Sequence, residues 1–246
     1  MPPLPKPGPV PKEALEYFRE KKLKVGFNHT AVWREEHRAA FTVAGIASRD
    51  ILDSIRGYVD NALEGEILFR DFANELGQLL ADTGWVEERP QSTPSRLRVI
   101  YQTNLRVARA AGQWQRIDRT KKTLPFLIYE LGPSTRHRPQ HVSWEGTILP
   151  VDDPFWGYAM PPNGFGCKCG VRQVGRAEAG RDEFIPQGSD TPVPLKRDRP
   201  PKNPVRFKNP KTGKTELVPA GIQVGSDYNP GQDRMKGVRD AAKDAA

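Results

Sequence analysis

Two histidines and both cysteines of this chain fall within residues 136–174, although the whole sequence has only four histidines and two cysteines. His137 and His141 lie four apart in R-H-R-P-Q-H, and Cys167 and Cys169 close the run P-P-N-G-F-G-C-K-C. Neutral imidazole and thiolate are the donors that a tetrahedral zinc takes. Two cysteines separated by one residue face the same side of a strand. The Pro161-Pro162-Asn163-Gly164 turn would deliver them, because proline pre-sets φ and Asn-Gly accepts a tight bend. The stretch therefore points to a zinc site with His141, Cys167, Cys169 and His137 as ligands. Arg136, Arg138 and Lys168 beside them would lower the thiol pKa values and also repel a cation. The competing reading packs the cysteines into a small sheet and bonds the histidines to backbone.

Other residues suited to chemistry are fewer. Asp152 and Asp153, in D-D-P-F-W, could serve as catalytic carboxylates or simply form a turn ahead of an aromatic plug. No G-x-S-x-G elbow, Walker loop or dinucleotide-binding glycine pattern occurs. Arg98, Arg106, Arg109, Arg136 and Arg138 either grip phosphates or form a solvated basic face. His37 falls on an apolar helical stripe and reads as a core or interface histidine, and His29 as a loop residue.

The elements that must position these groups follow from pattern. At 246 residues the chain can hold one large or two modest domains. Its 24 prolines and 22 glycines call for long irregular stretches. Residues 1–10 form a proline-rich leader without the apolar centre of a signal peptide, which predicts residence in the cytosol. No apolar run approaches the ~18 residues of a membrane span, and a C-x-C pair in a reducing compartment predicts thiols rather than a disulfide.

Residues 11–86 read as a helical scaffold of four amphipathic segments. Trp33, His37, Ala40, Phe41 and Ala44 mark the second stripe, Ile51, Ile55, Tyr58, Val59 and Ala62 the third, and Phe69, Phe72, Leu76, Leu79 and Leu80 the fourth. A linker over 87–95 precedes a fifth helix that ends at Gly112, followed by a basic joint over 116–122. Short strands are predicted at 125–129, 143–148 and 167–174. Residues 96–175 then form a helix on a small antiparallel sheet, and the fold class is α+β. Residues 176–246 are too polar and proline-rich for a core of their own, so they should wrap another surface or stay mobile, with a hairpin around 209–213.

The net charge of +8 is uneven. Residues 1–95 hold 12 Lys and Arg against 15 Asp and Glu, whereas residues 96–175 hold 12 against 5. The surplus that begins mid-chain suits a polyanion or an acidic partner.

Seven blocks, in order, resemble the minor head (head morphogenesis) proteins of tailed phages of the phage Mu F type. They are P-K-E-A-L-E-Y-F, V-W-R-E-E-H-R-A-A-F-T-V-A-G, Y-Q-T-N-L-R-V-A-R-A-A-G, R-x-R-P-x-H ending at His141, D-D-P-F-W, P-P-N-G-F-G-C-K-C and V-G-S-D-Y-N-P-G. The resemblance covers nearly the whole chain. It implies a low-copy component inside the head of a phage or prophage, made in the host cytoplasm and associated with the portal. Portal protein, scaffold or major capsid protein and packaged DNA are the implied partners, and no membrane is. Where that family has D-x-R-T-R-P-x-H, this chain has Ser134 and His137 at the Asp and Thr positions, which leaves His141, Cys167 and Cys169 as the better matched trio. The expected role is non-enzymatic assembly. The alternatives are a DNA-binding module and a metal-dependent nuclease or hydrolase built on the cluster with Asp152 and Asp153.

Overall fold

Helix α1 (Lys12–Arg19) opens behind Pro11 and buries Ala14, Tyr17 and Phe18. The computed structural model describes residues 11–25, 36–46, 48–82, 93–209 and 212–232. After α1 come β1 (Lys22–Leu23), α2 (Glu36–Ala39) and β2 (Ala40–Phe41), and β1 pairs with β2 in parallel. The helical stripe predicted from Trp33 to Ala44 is thus cut short at Ala39. Phe41 meets Phe18 edge to face at 5.4 Å and is 1 % exposed, so aromatic packing and pairing with Leu23 outweigh helical propensity there. Trp33 itself lies outside the described residues.

The next two helices follow the predicted stripes. Helix α3 (Arg49–Glu64) starts at Ser48, whose Oγ accepts from the Ile51 amide at 3.4 Å, and ends at Gly65. It buries Leu52, Ile55, Val59, Ala62 and Leu63, and α4 (Phe69–Asp82) buries Phe72, Leu76 and Leu80.

Helix α5 (Thr93–Thr120) is longer than its pattern. It takes in Thr93 to Ser95 of the predicted linker and runs through the predicted basic joint, while residues 87–92 lie outside the described residues. Two interactions explain the extension. Trp114 and Ile117 are buried, and Arg116 and Arg119 reach Glu13 of α1 at 3.5 and 2.6 Å. The N-terminal part of α5 completes one core with α1, α3 and α4, through Leu97, Ile100, Leu105 and Ala111. Its C-terminal part enters a second core.

That second core lies on a three-stranded antiparallel sheet. Strand β3 (Phe126–Glu130) is central, flanked by β4 (Ile148–Pro150) and β5 (Gly170–Val174), with α6 (Pro139–Trp144) and α7 (Phe155–Ala159) in the connections. Alternation along β3 divides its side chains. Leu127 and Tyr129 face Trp114, Ile117, Trp144, Phe155 and Trp156, whereas Ile128 faces Ile148, Val174, Phe184 and Leu195. Of the strand predicted over 143–148, Ser143 and Trp144 end a helix that Pro139 starts, Glu145 and Gly146 form a turn, and β4 begins only at Ile148. The cysteines lie in the loop before β5, not within a strand.

Beyond β5 come α8 (Arg176–Ala179), the β6 (Glu183–Phe184) and β7 (Val193–Pro194) pair, and the β8 (Val205–Lys208) and β9 (Thr215–Val218) hairpin. This C-terminal part wraps the protein's own α+β unit: Phe184 and Leu195 cover one face of the sheet, and Ile222 joins the core on the other. Further on, Tyr228 stacks on His37, and Arg38 Nε donates to the Asn229 carbonyl at 2.9 Å. Among the described residues no helix is long and apolar enough to cross a membrane.

Candidate metal centre

Helix α6 carries His141, 2 % exposed, with its ring stacked on Trp144 at 5.3 Å. Tyr129 of β3 meets the same imidazole edge-on. Cys167 is buried and Cys169 half-buried. Their sulfurs lie 3.9 and 3.5 Å from His141 Nδ1, and the three donor atoms lie within 4.8 Å of one another. For Zn–S of about 2.3 Å and Zn–N of about 2.0 to 2.1 Å, a tetrahedron has an N to S edge of about 3.6 Å. The observed separations bracket that edge.

On the other side of the ring, His141 Nε2 lies 2.9 Å from the Gly221 carbonyl oxygen. A carbonyl only accepts, so in the neutral ring Nε2 carries the proton and Nδ1 presents its lone pair to the sulfurs. The two thiols are not equivalent. A hydrogen bond from Cys169 holds the Cys167 thiol well below its ordinary range, and the same interaction, together with burial, pushes Cys169 up.

The surrounding backbone is fixed from several sides. Arg106 of α5 donates to the Cys167 carbonyl at 3.1 Å, and Arg138 donates to the Phe165 carbonyl at 3.1 Å. Tyr129 donates its hydroxyl to Asn163 Oδ1 at 2.9 Å, and Asn163 is fully buried. At Gly132 a Cβ would come within 1.7 Å of the Lys168 carbonyl oxygen, so only glycine lets the loop after β3 lie against the cysteine loop. Gly221 has φ +85°, and a Cβ there would meet Gln140 Cβ at 2.5 Å. Its lack of a side chain brings the accepting carbonyl up to α6.

The remaining sequence candidates separate. His137 bonds to the Gly132 carbonyl at 2.9 Å and is not among the three converging donors. Arg98 lies over the Phe69 ring, while Arg109 and Arg136 are exposed. Burial lowers the Arg106 pKa. Asp152 pairs with Lys121 at 2.9 Å, and Asp153 pairs with Arg199 at 2.9 Å while accepting from the Phe155 amide at 2.8 Å. Against burial, which raises it, those bonds hold the Asp153 carboxyl below its usual range. D-D-P-F-W thus forms a turn whose Phe155 and Trp156 are wholly buried. Sequence reasoning took Asn163 only as a turn residue and missed Tyr129, Gly221 and Gln223. The V-G-S-D-Y-N-P-G block flags only the region just after the last two, and no spacing relates it to His141.

Fold and site together define an α+β protein in which one long helix serves two cores and a His-Cys-Cys cluster sits beside the sheet. The model of the family described as Phage Mu protein F like protein matches residues 53–172, a span that contains all three donors. The chain belongs to that phage family. It is 34 % identical over 183 residues to a protein of Escherichia phage Mu named "Putative capsid assembly protein F", covering 68 % of this chain and 41 % of that one. It is also 32 % identical over 163 residues to the "Mu-like prophage FluMu F protein" of Haemophilus influenzae, covering 60 % of this chain and 38 % of the relative. The chain spans about two fifths of the length of these curated relatives. No solved structure matches it.

Proposed function

We propose that this protein is a non-enzymatic head-assembly component of a tailed phage or prophage, built into the head at the portal during procapsid formation. The observation that carries this reading is the 34 % identity, over 68 % of the chain, to a phage Mu protein named for capsid assembly. In this reading the helical module around α1, α3 and α4 docks on the portal or on scaffold and major capsid protein. The more basic α+β unit faces packaged DNA, with exposed Arg109 and Arg136 as contacts. The ion pairs of Asp152 and Asp153 support an assembly role over hydrolysis, since each carboxylate already has a cationic partner.

The test is deletion of the gene in an inducible phage, with complementation in trans. Particles are counted by electron microscopy, their DNA is quantified, and purified heads are probed for the protein. Fewer or empty heads, restored by complementation, with the protein in wild-type heads, are the expected result. Normal numbers of full, infectious heads after deletion would overturn the proposal.

A further inference from the structure

The C-terminal segment grips the cysteine loop and α6 at three points. His141 Nε2 donates to the Gly221 carbonyl at 2.9 Å. The Gln223 backbone N–H donates to the Asn163 carbonyl at 3.0 Å, and the Gln223 side-chain Oε1 accepts from the Phe165 backbone N–H at 2.7 Å. All three contacts touch residues of the cluster or of the turn that delivers it. Between 80 and 58 residues of chain separate the partners of the two side-chain contacts.

We propose that His141 Nδ1, Cys167 Sγ and Cys169 Sγ hold a zinc ion, and that this ion works as a latch that fastens the segment around Gly221 to Gln223 onto the α+β unit. The inference does not depend on the assembly role. Two independent observations carry it. The N to S separations of 3.5 and 3.9 Å match the edge of a zinc tetrahedron, about 3.6 Å. The Gly221 carbonyl is the partner a metal-bound histidine requires on its far nitrogen, where an acceptor fixes the tautomer and raises the basicity of the ligating one.

Coupling is reciprocal. Metal at Nδ1 makes the Nε2 proton more acidic and strengthens its bond to Gly221, and the seated segment in turn holds the ring in the ligating orientation. The ion also fixes the loop from Asn163 to Cys169, whose backbone receives Gln223. Zinc removal should therefore loosen a segment that contributes none of the ligands. A protein that merely buries two thiols beside a histidine would show no such link.

The full chain, purified without chelator, is assayed for metal by elemental analysis and loaded with cobalt to read thiolate-to-metal absorption. Hydrogen exchange is then compared between zinc-loaded and chelator-stripped protein. A single zinc per chain, cobalt bands typical of two thiolates, and at least about tenfold faster exchange around 221–223 after stripping, with α3 and α4 unchanged, are expected. Zinc-free folded protein would overturn the site. So would zinc kept by a Cys167→Ser/Cys169→Ser variant. Zinc bound with unchanged exchange at 221–223 would overturn the latch. Because the exchange comparison uses the unaltered sequence, a variant that fails to fold does not affect it.

Discussion

Single residues in this protein show how burial alters chemistry that looks ordinary in sequence. Lys21 is 6 % exposed, its ammonium donates to the His37 carbonyl and lies 4.8 Å above the Tyr17 ring. Burial pushes its pKa down to about 7. In the unfolded chain the value is about 10.4, so between pH 7 and about 10 the unfolded state binds a proton that the folded state lacks. Stability from this group therefore rises with pH across that window, and the cost is complete below it. Lys21→Met should be more stable than the parent at pH 6 in urea unfolding, with the advantage shrinking towards pH 10. An advantage independent of pH would show that the amine stays charged in the fold. The histidines were less legible. Spacing placed His137 and His141 together, yet His137, just ahead of α6, meets the Gly132 carbonyl, and His141, within α6, meets the sulfurs.

At the scale of elements, apolar periodicity located α3 and α4 because their buried stripes are continuous and their partners lie on the same side throughout. Leu76 of α4 has no exposed surface. Leu76→Ala should cost about 2 to 5 kcal/mol of folding stability, read as a lower urea midpoint with an unchanged slope. A loss under about 1 kcal/mol would mean that α4 is not anchored in that core. Periodicity failed where a partner on another element decided the outcome. Phe41 became a strand residue against Leu23 and Phe18, and α5 extended to Thr120 because α1 supplies Glu13 to its arginines. The cysteine loop stayed irregular because its backbone bonds to Arg106, Arg138 and Gln223 replace those of a sheet.

Across the whole molecule, α5 is the common member of two cores, with Leu97 to Ala111 in one and Trp114 and Ile117 in the other. Unfolding either core strips one end of a single continuous helix. Calorimetry should show one transition whose calorimetric and van't Hoff enthalpies agree. Two resolved transitions, each moved by a variant in only one core (Leu76→Ala or Phe155→Ala), would show that α5 does not couple them. The contacts of His37 and Arg38 with Tyr228 and Asn229 tie α2 directly to the C-terminal segment and strengthen the same expectation.

The sequence by itself determined the α+β class, the apolar faces of α3, α4 and the first half of α5, the central strand β3, the hairpin at 205–218 and the crowding of His141, Cys167 and Cys169 into one stretch. These features are local: each depends on residues a turn or a strand apart, and composition records them directly. Only the tertiary structure decided how closely His141 approaches the sulfurs, that Arg106 supports the loop, and that Gly221 supplies the carbonyl behind the ring. Each of these is a contact between residues far apart in the chain, with |i−j| of 28, 61 and 80. The geometry of such a contact is set by how α5, α6 and the C-terminal segment pack against one sheet, and no periodicity in the chain records it.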